Sequence, residues 1–118
     1  MNDAELNLAI ARLVYPDAEV VSATINFCYD GDDVIVGKGE GSISYNYCNN
    51  WLDLMPLVVE YGIEYDIEYI NCDGEKWIEF KAEKYLHGNT LIAYYHDRDL
   101  QLALAKCLLA VLEAKEKS

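Results

Sequence analysis

The sequence predicts an α+β domain in which three helices pack on a mainly antiparallel β-sheet. Helical patterns lie at both ends of the chain and near its middle, and strand-like segments lie between them. Short turns join these strands, whereas parallel strands need long crossover connections. With 118 residues, 53% hydrophobic residues and ten tyrosines, the chain suffices for one domain, 1–118, with a core of its own.

The first helix is predicted over residues 4–15, where apolar residues recur on one helical face. Asp3 is its predicted N-cap, and Pro16 cannot continue it. Strand-forming residues then predict an extended segment over residues 18–29, and the aspartate- and glycine-rich residues 29–33 predict a turn.

Two further strands are predicted over residues 34–36 and 42–48, with a glycine-rich loop between them. The central helix is predicted over residues 51–61, and the Asn-Asn pair 49–50 offers two suitable N-caps. Pro56 should kink this helix or limit its first part to a single turn, because proline removes a backbone donor and clashes with the preceding turn.

The clearest strand pattern follows the central helix and alternates apolar with acidic residues: Ile63, Tyr65, Ile67 and Tyr69 with Glu64, Asp66 and Glu68. This period of two predicts a strand with one buried and one acidic face. Asp73-Gly74 predicts a hairpin turn, and residues 76–83 form the returning strand. Lys76 or Lys81 on that strand is placed to neutralise part of the acidic face.

A turn at residues 87–89 and a strand over residues 90–95 precede the last helix, which is predicted from Asp97 or Asp99 to about Lys115. This helix is rich in leucine and alanine, both good helix formers. Its apolar surface covers more than half of its circumference, which favours either deep packing on the sheet or a contribution to an interface.

Charge is the most unusual property of the composition. The chain has 21 acidic and nine basic side chains, for a formal net charge of −12. The protein should therefore repel DNA, RNA and anionic membrane surfaces and attract basic partners. The alternative interpretation is that the acidic surface only keeps the protein in solution.

The cysteine spacing indicates neither a redox motif nor a zinc site, since the four cysteines form no C-x-x-C pair. The chain shows no secretory signal pattern, and its longest apolar stretch, residues 102–112, is too short to cross a bilayer. These observations predict a cytoplasmic protein with reduced thiols.

No cofactor or metal site is predicted. The loop at residues 37–41 resembles a nucleotide-binding loop only faintly, since a strand follows it and no helix N-terminus is available for phosphate. Asp30, Asp32 and Asp33 resemble the start of a calcium loop, but Gly41 stands where such a loop needs a bidentate glutamate. A hairpin turn is the simpler interpretation.

The segment from Tyr45 to Val58, YNYCNNWLDLMPLV, resembles the "YCN…W…PL/PI-V" segment of the NinX-like family of small phage and prophage proteins from enteric bacteria. Glu60 and Ile63 match the "E…I" strand that follows in this family, and the two terminal helices match as well. The resemblance implies a phage or prophage accessory protein in the bacterial cytoplasm, and it implies no activity. Trp51 within the segment belongs either to a shared surface or to the core.

Three functional hypotheses remain at this point. The first is a non-catalytic protein that binds a basic host or phage protein, with these candidate residues: Glu64, Asp66, Glu68, Asp30, Asp32, Asp33 and Trp51. The second is an enzyme that uses carboxylates, with His96 or tyrosines, in a pocket. Side chains two apart on a strand lie about 6.6–6.8 Å from each other, a spacing compatible with glycosidase geometry. The third is a homodimer that uses part of the last helix.

Overall fold

The computed structural model describes residues 1–22, 31–86 and 90–117 and confirms the α+β class. The predicted turns at 29–33 and 87–89 and the strand at 18–29 therefore lie partly or wholly outside the described residues. The elements run in this order: α1 (Asp3–Val14), β1 (Val20–Ser22), β2 (Val34–Val36), a 3-10 turn (Gly39–Gly41), β3 (Ile43–Tyr45), α2 (Trp51–Glu60), β4 (Glu64–Cys72), β5 (Glu75–Leu86), β6 (Thr90–Asp97) and α3 (Leu100–Lys117).

The strands form two antiparallel sheets of three strands each, in the orders β1-β2-β3 and β4-β5-β6. The hairpin between β4 and β5 turns at Asp73 and Gly74, as predicted. Both residues have positive φ values, 51° and 85°. This is the backbone of a two-residue turn that matches the twist of the flanking strands, and it is why Asp-Gly is favoured there.

Helix α3 lies at the centre of the molecule. It packs on β5 and β6 and also contacts α1 and α2. Its side chains at Leu104, Cys107 and Leu108 have no exposed surface, and they join a core that includes Leu6, Ile10 and Leu54. Deep packing thus explains the broad apolar surface of α3. A homodimer cannot use these core positions, since the chain's own elements cover them.

The N-caps differ from the predicted ones at α1 and resolve the choice at α2. Asn2 and Glu5 form a capping box at α1, with the Asn2 side chain accepting from the Glu5 N–H at 2.8 Å, so that Asp3 is the first helical residue instead. Asn50 caps α2 by accepting from the Leu52 N–H at 3.0 Å.

Helix α2 continues through Pro56, so the prediction that this proline limits its first part to a single turn is wrong. Proline leaves the carbonyl four residues earlier, that of Leu52, without its helical donor. Leu52 is 84% exposed. Water can therefore satisfy this carbonyl, which explains how the helix tolerates the proline.

The apolar face of β4 is exposed, and the prediction of a buried face is wrong for Tyr65, Ile67 and Tyr69. Only Ile63, which precedes the strand, is buried. The reason is that α3 packs mainly on β5 and β6, so that β4 extends beyond the helix as an edge strand. No helix in the described part of the chain is both long and apolar enough to cross a membrane.

Candidate functional site

One face of the second sheet carries five carboxylates. Antiparallel register places Glu64 opposite Glu83, Asp66 opposite Lys81 and Glu68 opposite Glu79, and directly opposed side chains project to the same side. β6 adds Tyr94 opposite Glu83 and His96 opposite Lys81. We call this surface the acidic face, and its members are Glu64, Asp66, Glu68, Glu79, Lys81, Glu83, Tyr94 and His96. Because α3 covers the other side through Ala82 and Ala93, the acidic face points away from the core.

Like charges oppose each other at two positions of the acidic face. The pairs Glu64–Glu83 and Glu68–Glu79 join carboxylates across β4 and β5, and only Asp66 faces a lysine. Like charges that lie directly opposite each other destabilise a sheet, by roughly 0.2–1 kcal/mol for each pair. A sheet optimised for stability alone would place a lysine in each pair. The like-charge pairs of the acidic face therefore lower the stability of the fold instead of supporting it.

His96 lies between two of these carboxylates. Its Nε2 is 3.0 Å from Glu68 Oε2, and its Nδ1 is 3.7 Å from Glu79 Oε2. The Tyr94 hydroxyl is 2.6 Å from the same Nε2. His96 thus bridges the two carboxylates of the like-charge pair Glu68–Glu79.

At the other end of the acidic face, Glu83 accepts a hydrogen bond from a neutral side chain. The Tyr85 hydroxyl donates to Glu83 Oε2 at 2.8 Å, and this bond raises the pKa of Tyr85. The neutral donor leaves the charge of Glu83 in place. Together with Lys81 and His96 at the centre, this arrangement leaves an excess of carboxylates on the face.

Two further cations lie near this sheet, one on each of its sides. Lys106 pairs with Asp97 at 2.9 Å on the side of the sheet that α3 covers. Burial alone would raise the pKa of Asp97, but hydrogen bonds from the Asp99 N–H and from Lys106 outweigh burial and hold this pKa below its usual value. Arg98 stacks its guanidinium 4.8 Å from the centre of the Trp77 ring. Trp77 lies two residues before Glu79 on β5 and projects to the same side, so Arg98 is a cation at the hairpin end of the acidic face.

Asp32 and Asp33 do not join the acidic face. They precede β2, in the other sheet, and Asp30 lies outside the described residues. Asp33 accepts from the Ser44 hydroxyl at 2.7 Å and from Asn46 Nδ2 at 2.9 Å. These bonds tie the start of β2 to β3 and its following turn, so the carboxylate of Asp33 has a structural role.

Two polar cavities of about 320 and 300 Å³ lie beside this aspartate cluster. Both are lined by Asn46 and Asn49, with Asp32 in the first and Asp33 and Asp53 in the second. Asp53 accepts from the Asn46 N–H at 2.9 Å, and Asp33 uses both oxygens for bonds to the protein. The carboxylates of Asp33 and Asp53 therefore hold the Asn46 turn, which does not favour acid–base chemistry in these cavities.

Trp51 is 42% exposed, so its interpretation as a core residue is wrong. It begins α2, whose solvent side also carries Leu52 and Val59 at 84% and 74% exposure. No acidic-face residue belongs to this helix. The structure thus places those sequence-predicted candidates that it describes in three separate locations: the acidic face, the turn before β2 and the start of α2.

Buried thiols offer no nucleophile. Burial raises the pKa of the Cys48 and Cys107 thiols to about 12, so both stay protonated at neutral pH. Cys72 is exposed near the β4–β5 turn. No group of three or more histidine, cysteine, aspartate or glutamate side chains in residues 1–22, 31–86 and 90–117 is arranged to hold a metal ion.

Four members of the acidic face are absent from the sequence-predicted partner-binding residues: Glu79, Glu83, Tyr94 and His96. The alternation along β5 and β6 carries a signal for them, since it places every second residue on one face. The signal is incomplete because the pairing of β5 with β6 contains an irregularity at Lys84 and Tyr85. Such a shift in register decides which face the later residues occupy.

Comparison of the chain with protein-family models, with curated proteins and with solved structures finds no match. The resemblance to the NinX-like family therefore stays a prediction.

Proposed function

We propose that this chain is a non-catalytic accessory protein of phage or prophage origin that binds a basic protein partner through the acidic face. The observation that carries this proposal is the presence of two like-charge cross-strand pairs, Glu64–Glu83 and Glu68–Glu79, on an open sheet surface. A partner that brings lysine or arginine to this surface would remove the repulsion that the free protein bears. The free energy of binding would then be favoured both by the new contacts and by the loss of repulsion within the two like-charge pairs.

The geometry of the sheet supports a protein partner rather than a small molecule. The carboxylates follow two adjacent strands from Glu64 to Glu68 and from Glu79 to Glu83, which is about 13 Å along each strand. None of the five lines either of the polar cavities beside Asp32 and Asp33. A broad charged surface whose carboxylates line neither of these cavities suits an extended basic surface better than a compact substrate.

The experiment compares affinity capture from the native bacterial host with three baits. The first bait is the wild-type protein, and the second carries Glu64→Gln, Asp66→Asn and Glu68→Gln. The third carries Glu40→Gln, Glu113→Gln and Glu116→Gln, which neutralises the same number of exposed carboxylates away from the acidic face. We expect the wild-type and third baits to recover the same basic partner and the second bait to lose it.

Salt dependence is the second measurement. Contacts between exposed charges are screened within about 10 Å at 0.1 M salt and about 3 Å at 1 M salt, so capture should fall steeply over this range. Recovery of the same partner by all three baits, or undiminished capture at high salt, would show that the acidic face does not bind it.

A further inference from the structure

The second sheet exposes an apolar patch on the face opposite the acidic one. Its members are Tyr65, Ile67 and Tyr69 on β4 and Ile78 on β5, with exposures of 52%, 47%, 79% and 46%. Register places Tyr69 directly opposite Ile78 and places Ile67 opposite Phe80, so these side chains share one face. We call these four residues the apolar patch.

The patch borders the covered part of the sheet. Ala82, directly opposite Tyr65, is fully buried, and Phe80 packs partly against the core. α3 covers β5 and β6 but leaves β4 outside its main contacts. On this face, the β4 side chains are therefore exposed to solvent, whereas the neighbouring strands β5 and β6 are covered by α3.

The four residues of the apolar patch are uncharged, and a charged side chain that borders them on the same face is the cation Lys76, which lines a cavity together with Tyr69 and Ile78. A basic partner would gain no electrostatic attraction there, in contrast to the acidic face. The complement of an uncharged apolar surface is another such surface, and a second copy of the chain supplies one. We propose that the apolar patch is the interface of a homodimer in which two sheets pack face to face.

Charge decides between two ways of joining the copies. The free edges of two β4 strands could pair and extend the sheet. The carboxylates of Glu64, Asp66 and Glu68 would then lie beside the same three carboxylates of the second copy, and these like charges would repel each other. In face-to-face packing, sheets lie about 10 Å apart through their apolar sides, and both acidic faces point outward. Face packing therefore brings the apolar surfaces together and keeps the carboxylates apart.

The exposed area fits the centre of such an interface. Tyr65 and Tyr69 alone expose roughly 250 Å² at typical aromatic side-chain areas. The two isoleucines bring the patch to roughly 400 Å², within the range at which an apolar patch is often functional. A standard interface buries about 800 Å² from each partner, so the patch would supply about half. A cavity of about 260 Å³ lies at the adjoining hairpin end and is lined by Tyr69, Trp77 and Ile78 among others. Side chains of the second copy could pack into this cavity.

The test measures mass in solution by sedimentation equilibrium, over a range of concentrations. We expect the wild-type chain of 13.4 kDa to sediment as a dimer and Ile67→Glu to sediment as a monomer. Leu52→Glu is the matched control, since it adds the same charge at another exposed apolar residue, on α2, and should remain dimeric. Tyr69→Gln changes the most exposed patch residue without adding charge, and it should raise the dissociation constant of the dimer at least tenfold. Circular dichroism checks that each variant is folded.

Salt separates this proposal from the proposed function. Two chains that are both strongly acidic repel each other, so salt should strengthen the dimer, whereas it should weaken binding to a basic partner. The Glu64, Asp66 and Glu68 triple variant should affect the dimer no more than the Glu40, Glu113 and Glu116 triple variant. A wild-type monomer at all concentrations, a dimer that survives Ile67→Glu, or a dimer that only the first triple variant strengthens would overturn face packing through the apolar patch.

Discussion

A buried asparagine connects three parts of the chain that are distant in sequence. Asn7 has no exposed surface, and its Nδ2 donates to the Asp32 carbonyl at 2.6 Å and to Asn46 Oδ1 at 2.9 Å. Its Oδ1 accepts from the Cys48 N–H at 3.1 Å. Every polar atom of this side chain therefore has a partner, as burial requires. The periodicity of α1 predicts the apolar core residues Leu6 and Ile10, but it carries no signal for partners that lie 25 to 41 residues away.

Replacing this residue should destabilise the fold. Asn7→Ala leaves the Asp32 carbonyl and the Cys48 N–H without their partner, and each buried group that loses its hydrogen bond costs about 1–3 kcal/mol. We expect the free energy of unfolding in urea to fall by about 2–4 kcal/mol. Arg12→Ala, at an exposed position of the same helix, should change it by less than about 0.5 kcal/mol. Equal effects of the two substitutions would contradict the role of Asn7.

Helix and strand types follow from local pattern, whereas the burial of an element depends on its neighbours. The alternation in β4 correctly predicts a strand, and Asp73-Gly74 correctly predicts its turn. The same alternation suggests a buried face for Tyr65 and Ile67, and that prediction is wrong because α3 lies over the neighbouring strands. Likewise, the sequence places acidic residues on β4, but only the register with β5 makes Glu64 and Glu83 a like-charge pair.

The start of α2 offers a sharp test at the scale of an element. Two neighbouring asparagines are equivalent in the sequence, yet only Asn50 caps the helix, while Asn49 makes longer contacts of 3.3 and 3.4 Å from its side chain. We expect Asn50→Ala to lower the free energy of unfolding by about 1 kcal/mol, the usual value of an asparagine N-cap. Asn49→Ala should have less than half this effect in the same urea titration. If Asn49→Ala is the more damaging change, the assignment of the cap is wrong.

Across the whole molecule, charge and apolar surface lie on opposite faces of one thin sheet. The acidic face and the apolar patch share β4, where residues 64–69 alternate between the two surfaces. A dimer formed through the apolar patch would present two acidic faces outward, which allows two basic partners or one extended partner to bind. Dimerisation would then increase the apparent affinity for a partner without any new contact on the acidic face.

An acidic face that serves a partner should reduce the stability of the free protein, and this can be measured. Glu64→Lys converts the Glu64–Glu83 pair into an attractive one and should raise the free energy of unfolding by about 0.5 kcal/mol at low salt. Glu40→Lys makes the same change in net charge in a turn without a cross-strand partner, so the difference between the two variants isolates the pair. This difference should shrink in about 1 M salt, where exposed charges are screened. The more stable Glu64→Lys protein should also capture less of the basic partner. A variant that is both more stable and an equally good binder would show that the repulsion between Glu64 and Glu83 has no connection with binding.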